Sequence, residues 1–450
     1  MKLTQILKSE FEQKDQSTAL KDFDPITFSM DLQNFNESAE SITEKLEELN
    51  KANSFVNSLE SIVDEVKSFE SIDSDKKNKI QEKLKIACES IDVDSGYFDI
   101  SLESESGSVI EKIIEKIKAV LKHIVEFIKN LKDSIVKYFK DLNNVSIQRE
   151  KYLKLQLETL NSFKKNNRLD SEYRVSVPYL SIGYDRTVTT EQFNIKNKDN
   201  PVTDHKTFND CVNSIYKSND TFIKEYNYRL NICENIKEII TLLSAYDKNI
   251  EKVDVNKDQK LSKLVEQTIR FIKDLPTVKN KTEFILVNST YLIDLDNNSV
   301  TSSEIDYDIS GLVKIFKNIK ITSLNNPGTD KFFSKAMTVE NLIDCLEEII
   351  RLNSHSFIIS NSFSKTCDDL IKEFEAELQF IGEATKRVTN SGSTITEQYT
   401  KLYQNFSNFL FAITQYQISS ITTIQSYSNN LNSSINKLIS FVNANISAYK

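Results

Sequence analysis

The sequence predicts a mainly α protein, with long amphipathic helices gathered into a helical bundle and small β-hairpin or β-rich insertions near 173–193 and 284–309. Three observations predict it. Only 7 Gly and 5 Pro occur in 450 residues, so few positions offer the positive φ that tight phosphate loops and doubly wound sheets use. Ile110, Ile113, Ile117, Leu121, Ile124, Ile128, Leu131, Ile135, Tyr138 and Leu142 recur at steps of mostly three and four, which places them on one face of a helix about nine turns long. Leu402, Phe406, Phe409, Ile413, Tyr416, Ile421, Ile424, Tyr427, Leu431, Ile435, Leu438 and Val442 form a near-heptad stripe at the other end of the chain.

Taken in order, residues 1–40 are mixed, and Pro25 with several polar breakers limits them to short helices. Residues 41–87 read as a helical pair with a thin apolar stripe, divided at the polar IDSD. Residues 90–108 have little periodicity and read as exposed. Ser108 is placed to cap the helix that follows, with Glu111 three residues later as its capping-box partner. The Asn143-Asn144 pair is expected to end that helix, and SIQREKYLKLQLETLNSFKKN to form another.

YRVSVPYLSIGYDRTVTTEQF, residues 173–193, is rich in β-branched and aromatic residues and reads as one or two short strands. Helices return from Thr207 to Pro276. FILVNSTYLIDLDNNSVTSSEIDYDI, residues 284–309, is a second strand region in which Asn297-Asn298 is expected to turn a hairpin. Pro327-Gly328 marks a break, after which helix resumes. The last helix has Asn, Ser, Thr and Gln opposite its apolar stripe and only Lys401, Lys437 and Lys450 as charges in the final fifty residues. Such a helix needs a partner for its apolar side, from this chain, a second copy, another protein or a membrane. The organisation expected is an acidic leader at 1–105, a basic amphipathic region at 106–170, a mixed domain at 171–330 and a helical region at 331–450.

Charge is distributed unevenly. Residues 1–105 carry 12 Lys against 24 Asp or Glu, so the whole negative excess of this −9 chain lies in its first quarter. The face opposite the 110–142 stripe is rich in lysine, and Lys112, Lys116, Lys122, Lys129 and Lys137 are the residues expected to meet phosphates or a partner. Non-specific contact with DNA and transient contact with an anionic membrane surface are both open on that pattern.

Little points to catalysis. The sequence holds no Gly-rich phosphate loop, HExxH, GxSxG or CxxC, and three histidines, His123, His205 and His355, exclude a histidine-rich metal site. Five cysteines at wide intervals fit free thiols in a reducing compartment. No run of 18 apolar residues or signal-peptide pattern is present. A calcium loop started at Asp294 would need Gly at its sixth position and Glu at its twelfth, where Ser299 and Ile305 stand. The expectation is a non-enzymatic protein without cofactor or metal.

Around residue 105 an acidic string, ISLESESGS, gives way at once to the basic helix VIEKIIEKIKAV. An acidic leader, a small-x-Glu tripeptide and an abrupt amphipathic helix resemble the internal head (inner-body) proteins of large tailed bacteriophages. The resemblance covers residues 1–145 as an organisation, and it implies a propeptide removed by a prohead protease after glutamate. The matching tripeptide is Ser101-Leu102-Glu103, with Glu105 as a second acidic end. It further implies a virion structural protein that takes part in capsid assembly with other head or core proteins. Such a protein passes from the host cytoplasm to the head interior beside packaged DNA. Two other readings stand next to it: a cytoplasmic helical scaffold or oligomeric coiled-coil protein, whose acidic leader stays packed against the rest, and a membrane-active helical protein such as a toxin or ejected channel component.

Overall fold

The computed structural model describes residues 23–67, 74–89, 106–163, 174–178, 180–182, 200–247, 259–273, 283–287, 289–295, 307–317, 319–325, 331–390 and 397–449. The mainly α architecture expected from the sequence is what it has. In chain order the elements are α1 (Pro25–Lys67), α2 (Ser74–Glu89), α3 (Ser106–Phe163), β1 (Arg174–Pro178), β2 (Ser181–Ile182), β3 (Asn200–Pro201), α4 (His205–Asp247) and α5 (Gln259–Lys273). Then come β4 (Glu283–Leu286), β5 (Ser289–Leu295), α6 (Ile309–Lys317), β6 (Ile319–Asn325), β7 (Lys331–Lys335), α7 (Val339–Asn390), α8 (Glu397–Ile446) and a closing 3-10 turn (Ser447–Tyr449).

Helix starts follow local chemistry. Asp24 accepts from the N–H groups of Ile26 (3.1 Å) and Thr27 (3.2 Å) just ahead of Pro25, which joins an N-cap carboxylate to proline at the first helical position. Residues 1–40 were expected to hold only short helices, yet α1 runs from Pro25 for 43 residues. The proline that reads as a breaker inside a segment is a favoured start when an aspartate precedes it. At α4 the cap is reciprocal: Thr207 N–H donates to Asp204 Oδ1 (2.8 Å), and Asp204 N–H donates to Thr207 Oγ1 (3.0 Å). Asp308 and Thr338 cap α6 and α7 by accepting from Gly311 and Asn341.

The helix α3 continues through Asn143 and Asn144 for 58 residues, about 87 Å at 1.5 Å per residue. The expected break is absent because tertiary contacts override the poor local propensity. Leu142, Val145 and Ser146 are buried on either side of the pair, and Asn143 Nδ2 donates to Asn361 Oδ1 of α7 at 2.6 Å. The helix also begins at Ser106, so Ser108 lies within its first turn rather than ahead of it. Helices α1 and α3 lie antiparallel, with Phe28 stacked on Tyr152, Phe35 against Tyr138 and Ser38 donating to Asp141 at 2.5 Å. The opposite flank of α3 packs on α7, and α7 in turn contacts α4 and α8. Buried apolar side chains from Phe35 to Ile446 form one contiguous core.

Among the described residues the strands form three small antiparallel sheets: β1 with β7, β2 with β3, and β4-β5-β6. Strand was expected at 173–193 and 284–309, and β1, β2, β4 and β5 lie there. Their partners β3, β6 and β7 lie outside those segments. Arg174 pairs with Lys335 across more than 150 residues of sequence, a long-range contact that local alternation does not announce. Strands β4 and β5 pair antiparallel up to Leu286 opposite Ser289. The second partner of β5 is β6, through Leu295 and Ile319, with α6 in the connection. Asn297 and Asn298, expected to turn this hairpin, lie outside the described residues.

Candidate functional site

The final helix organises the polar chemistry of the bundle. Its apolar stripe is buried from Tyr416 through Ile421, Ile424, Tyr427, Leu431, Ile435, Leu438 and Val442, as its spacing predicts. Its uncharged polar side is buried as well: Ser420, Thr423, Gln425, Asn432, Ser434 and Asn445 are all within the core. That explains the missing charges, because an ionised side chain would have to be desolvated at these positions, whereas amides and hydroxyls can be satisfied by neighbours.

The neighbours are specific. Tyr138 of α3 donates to Asn429 Oδ1 (2.7 Å), and Gln425 Nε2 donates to Ala39 O (2.9 Å) and Thr43 Oγ1 (3.0 Å) of α1. Ser434 Oγ accepts from Val287 N–H (3.1 Å), Asn445 Oδ1 accepts from Met337 N–H (3.2 Å), and Tyr449 donates to Met337 O (2.7 Å). Through these bonds α8 ties the N-terminal helix, the β insertion and the entry to α7 to a single rod.

One layer is built around a buried cation. Arg149 of α3 is fully buried. Its Nη1 donates to Asn353 Oδ1 of α7 (3.1 Å) and its Nη2 to Asn432 Oδ1 of α8, while Asn353 Nδ2 donates back to Ser146 O (2.9 Å). Among the described residues the Nε–H has no hydrogen-bond partner, and both acceptors are amides, not carboxylates. Burial pushes the guanidinium down to about 9, so it stays protonated at neutral pH. A slip of one residue in any of the three helices would leave this charge facing hydrocarbon, at a cost of several kcal/mol or so. The layer is therefore suited to fixing register.

A second layer lies nearby. Tyr427 donates to Asn219 Oδ1 (2.6 Å), and Asn219 Nδ2 approaches His355 Nδ1 (3.4 Å). Tyr216 packs on the imidazole at 5.4 Å, and Asp220 Oδ1 stands 4.0 Å from Nε2. Desolvation lowers the His355 pKa, and Asp220 only partly opposes it. Burial thus favours the neutral imidazole over the charged one.

Of the residues singled out in the sequence, Ser101, Leu102, Glu103 and Glu105 lie outside the described residues. Lys112, Lys116, Lys122 and Lys129 lie on α3, but their side chains are outside the description. Lys137 is exposed. Lys132, on the same helix, faces Asp368 of α7 at 3.4 Å, so part of the lysine-rich side meets another helix of the same chain. His205 stands 3.9 Å from Asp344 at the start of α4, away from the layer of Arg149. Cys88, Cys211, Cys345 and Cys367 are buried thiols. Burial pushes the Cys211 thiol up to about 12 and raises Cys345 and Cys367 as well, the opposite of what a reactive thiolate requires. Among the described residues no group of His, Cys, Asp and Glu is arranged to hold a metal ion, and no helix is long and apolar enough to cross a membrane.

Sequence reasoning missed Arg149, Asn353 and Asn432. A signal was present for the first: Arg149 follows Val145 and precedes Leu153 by four residues each, so an arginine occupies the core stripe of α3. No family model, curated protein or solved structure matches the chain.

Proposed function

We propose that the chain is a non-enzymatic helical scaffold protein whose acidic N-terminal helices are a permanent part of its bundle. The observation that carries this reading is the seat of α1. Phe35, Ile42, Leu46, Leu49, Phe55, Leu59, Ile62 and Val66 are buried, at about 1.5–3 kcal/mol each before the cost of ordering the chain is subtracted. Gln425 and Tyr138, in the polar interior, are also engaged by Ala39, Thr43 and Phe35. The chemistry of the interior supports the same reading, since Arg149, Asn353, Asn432, Tyr427 and Asn219 bond to one another across helices and the Cys211, Cys345 and Cys367 thiols are raised away from reactivity.

Removal of residues 1–103 after Glu103, as the internal-head reading requires, would carry off α1 and α2 and uncover the flank of α3 around Tyr138, Asp141 and Val145. The buried area favours retention over removal. Mass spectrometry of the protein taken from its native assembly tests this: a species that includes residues 25–67 is expected, and a mature form beginning at Ser104 or Ser106 with nothing of α1 bound would overturn it.

A further inference from the structure

We infer that the outer face shared by α1 and α3 is a self-complementary surface that docks a second copy of this chain. The inference deepens the scaffold reading and rests on it. Of the eight large apolar side chains exposed among the described residues, five lie here: Ile26 (71%), Met30 (59%), Val136 (49%), Ile147 (45%) and Leu155 (37%). On α3, positions 136, 140, 147, 151 and 154 follow at steps of four, seven, four and three, which keeps them on one side. The opposite side, through Ile135, Tyr138, Leu142, Val145 and Leu153, is the buried one. The contacts of Phe28 with Tyr152 and Phe35 with Tyr138 set the antiparallel register. Ile26 and Met30 are thereby level with the stretch from Ile147 to Leu155.

Charge selects the occupant. Between the apolar ends, α1 presents Glu40 and Glu44 to solvent, and α3 presents Lys137 and Lys140 at the same level. Two parallel rows of opposite sign repel a uniformly anionic surface along one row, so a phosphate backbone or an anionic bilayer matches only half of the face. A second copy matches all of it. A two-fold axis parallel to the helices, along the groove between them, lays α1 of each copy on α3 of the other without changing level. Glu40 and Glu44 then meet Lys140 and Lys137, and Ile26 and Met30 meet Ile147 and Leu155. The α3 stretch 131–158 is about 40 Å long and two helices are about 20 Å wide, giving on the order of 800 Å² per partner, the size of a standard specific interface.

Sedimentation of the full chain tests the surface. Wild type is expected at twice the 51.8 kDa mass of one chain, with dissociation favoured by added salt. The pair Lys137→Glu with Lys140→Glu, and separately the pair Glu40→Lys with Glu44→Lys, are each expected to be monomeric with unchanged helicity. Mixed in equal amounts, the two variants are expected to form a heterodimer, because every contact is then between opposite charges. Ile147→Asp supplies an independent test if a charge variant does not fold. A monomeric wild type, a dimer indifferent to these changes, or a mixture of the two charge variants that stays monomeric would overturn the proposal. So would binding of the intact monomer to vesicles of anionic phospholipid or to duplex DNA through these lysines. A monomer that retains α1 in its native assembly removes this surface and leaves the scaffold reading standing.

Discussion

Replacing the charged layer around Arg149 separates stability from specificity in this bundle. Burial lowers the guanidinium to about 9, and at about 1.4 kcal/mol per unit this is on the order of 5 kcal/mol against the charged form. Two hydrogen bonds to a charged donor return about 1.5–3 kcal/mol each, so the layer contributes little net stability. The variant Asn432→Ala removes one of two acceptors while the charge stays buried, and is expected to cost about 3 kcal/mol or more. The combined change Arg149→Met, Asn353→Leu and Asn432→Leu removes the charge and both acceptors together, and is expected to gain about 1–4 kcal/mol. Equilibrium urea unfolding, with the slope checked for constancy, gives both numbers. An Asn432→Ala cost below about 1 kcal/mol would refute the claim that the guanidinium depends on these two oxygens. A triple variant less stable than the wild type would refute the claim that the layer is retained for register rather than stability.

Other expectations follow from the same contacts. His355 has a folded pKa depressed by burial, so the unfolded chain binds its proton first. Its contribution is present above the ordinary histidine range and is lost as pH falls through the folded value; His355→Phe should flatten the stability profile in that window. Glu65 lies between Lys79 and Lys83, and Asp368 between Lys132 and Lys372, and both carboxyls are held below their ordinary values. Their contribution is present above the ordinary carboxylate range and is lost as pH falls through the folded values, so Glu65→Gln should weaken acid unfolding measured by circular dichroism. Asp24→Ala should cost about 1 kcal/mol through loss of the α1 cap, read as a lowered urea midpoint. Cys88, Cys211, Cys345 and Cys367 should resist alkylation in the native protein and react on unfolding, as located by peptide mass mapping.

The helices were legible where an apolar stripe could be followed, as from Leu131 to Leu142 and from Tyr416 to Val442. Such periodicity reports a buried face whatever covers it. What covers it was not legible. The continuity of α3 through Asn143 and Asn144 depends on Asn361, more than 200 residues away, and the burial of the polar side of α8 depends on Ala39, Asn219, Val287 and Met337. The same limit hid the site. Asn353 and Asn432 look like surface amides in their own helices and become a charge-holding layer only when Arg149 is brought between them. The acidic composition of residues 1–105 suggested a separable leader because net charge is visible in sequence, while the buried row Phe35, Ile42, Leu46 and Leu49 within it is diluted by the acids on the outer side of α1.

Native-state hydrogen exchange of the full chain addresses the central claim, that α1 is an integral member of the bundle. The account predicts that amides from Phe35 to Ile62 exchange as slowly as those from Leu131 to Leu153 and open with them in one cooperative step. Rapid exchange across α1 while α3 stays protected would contradict it.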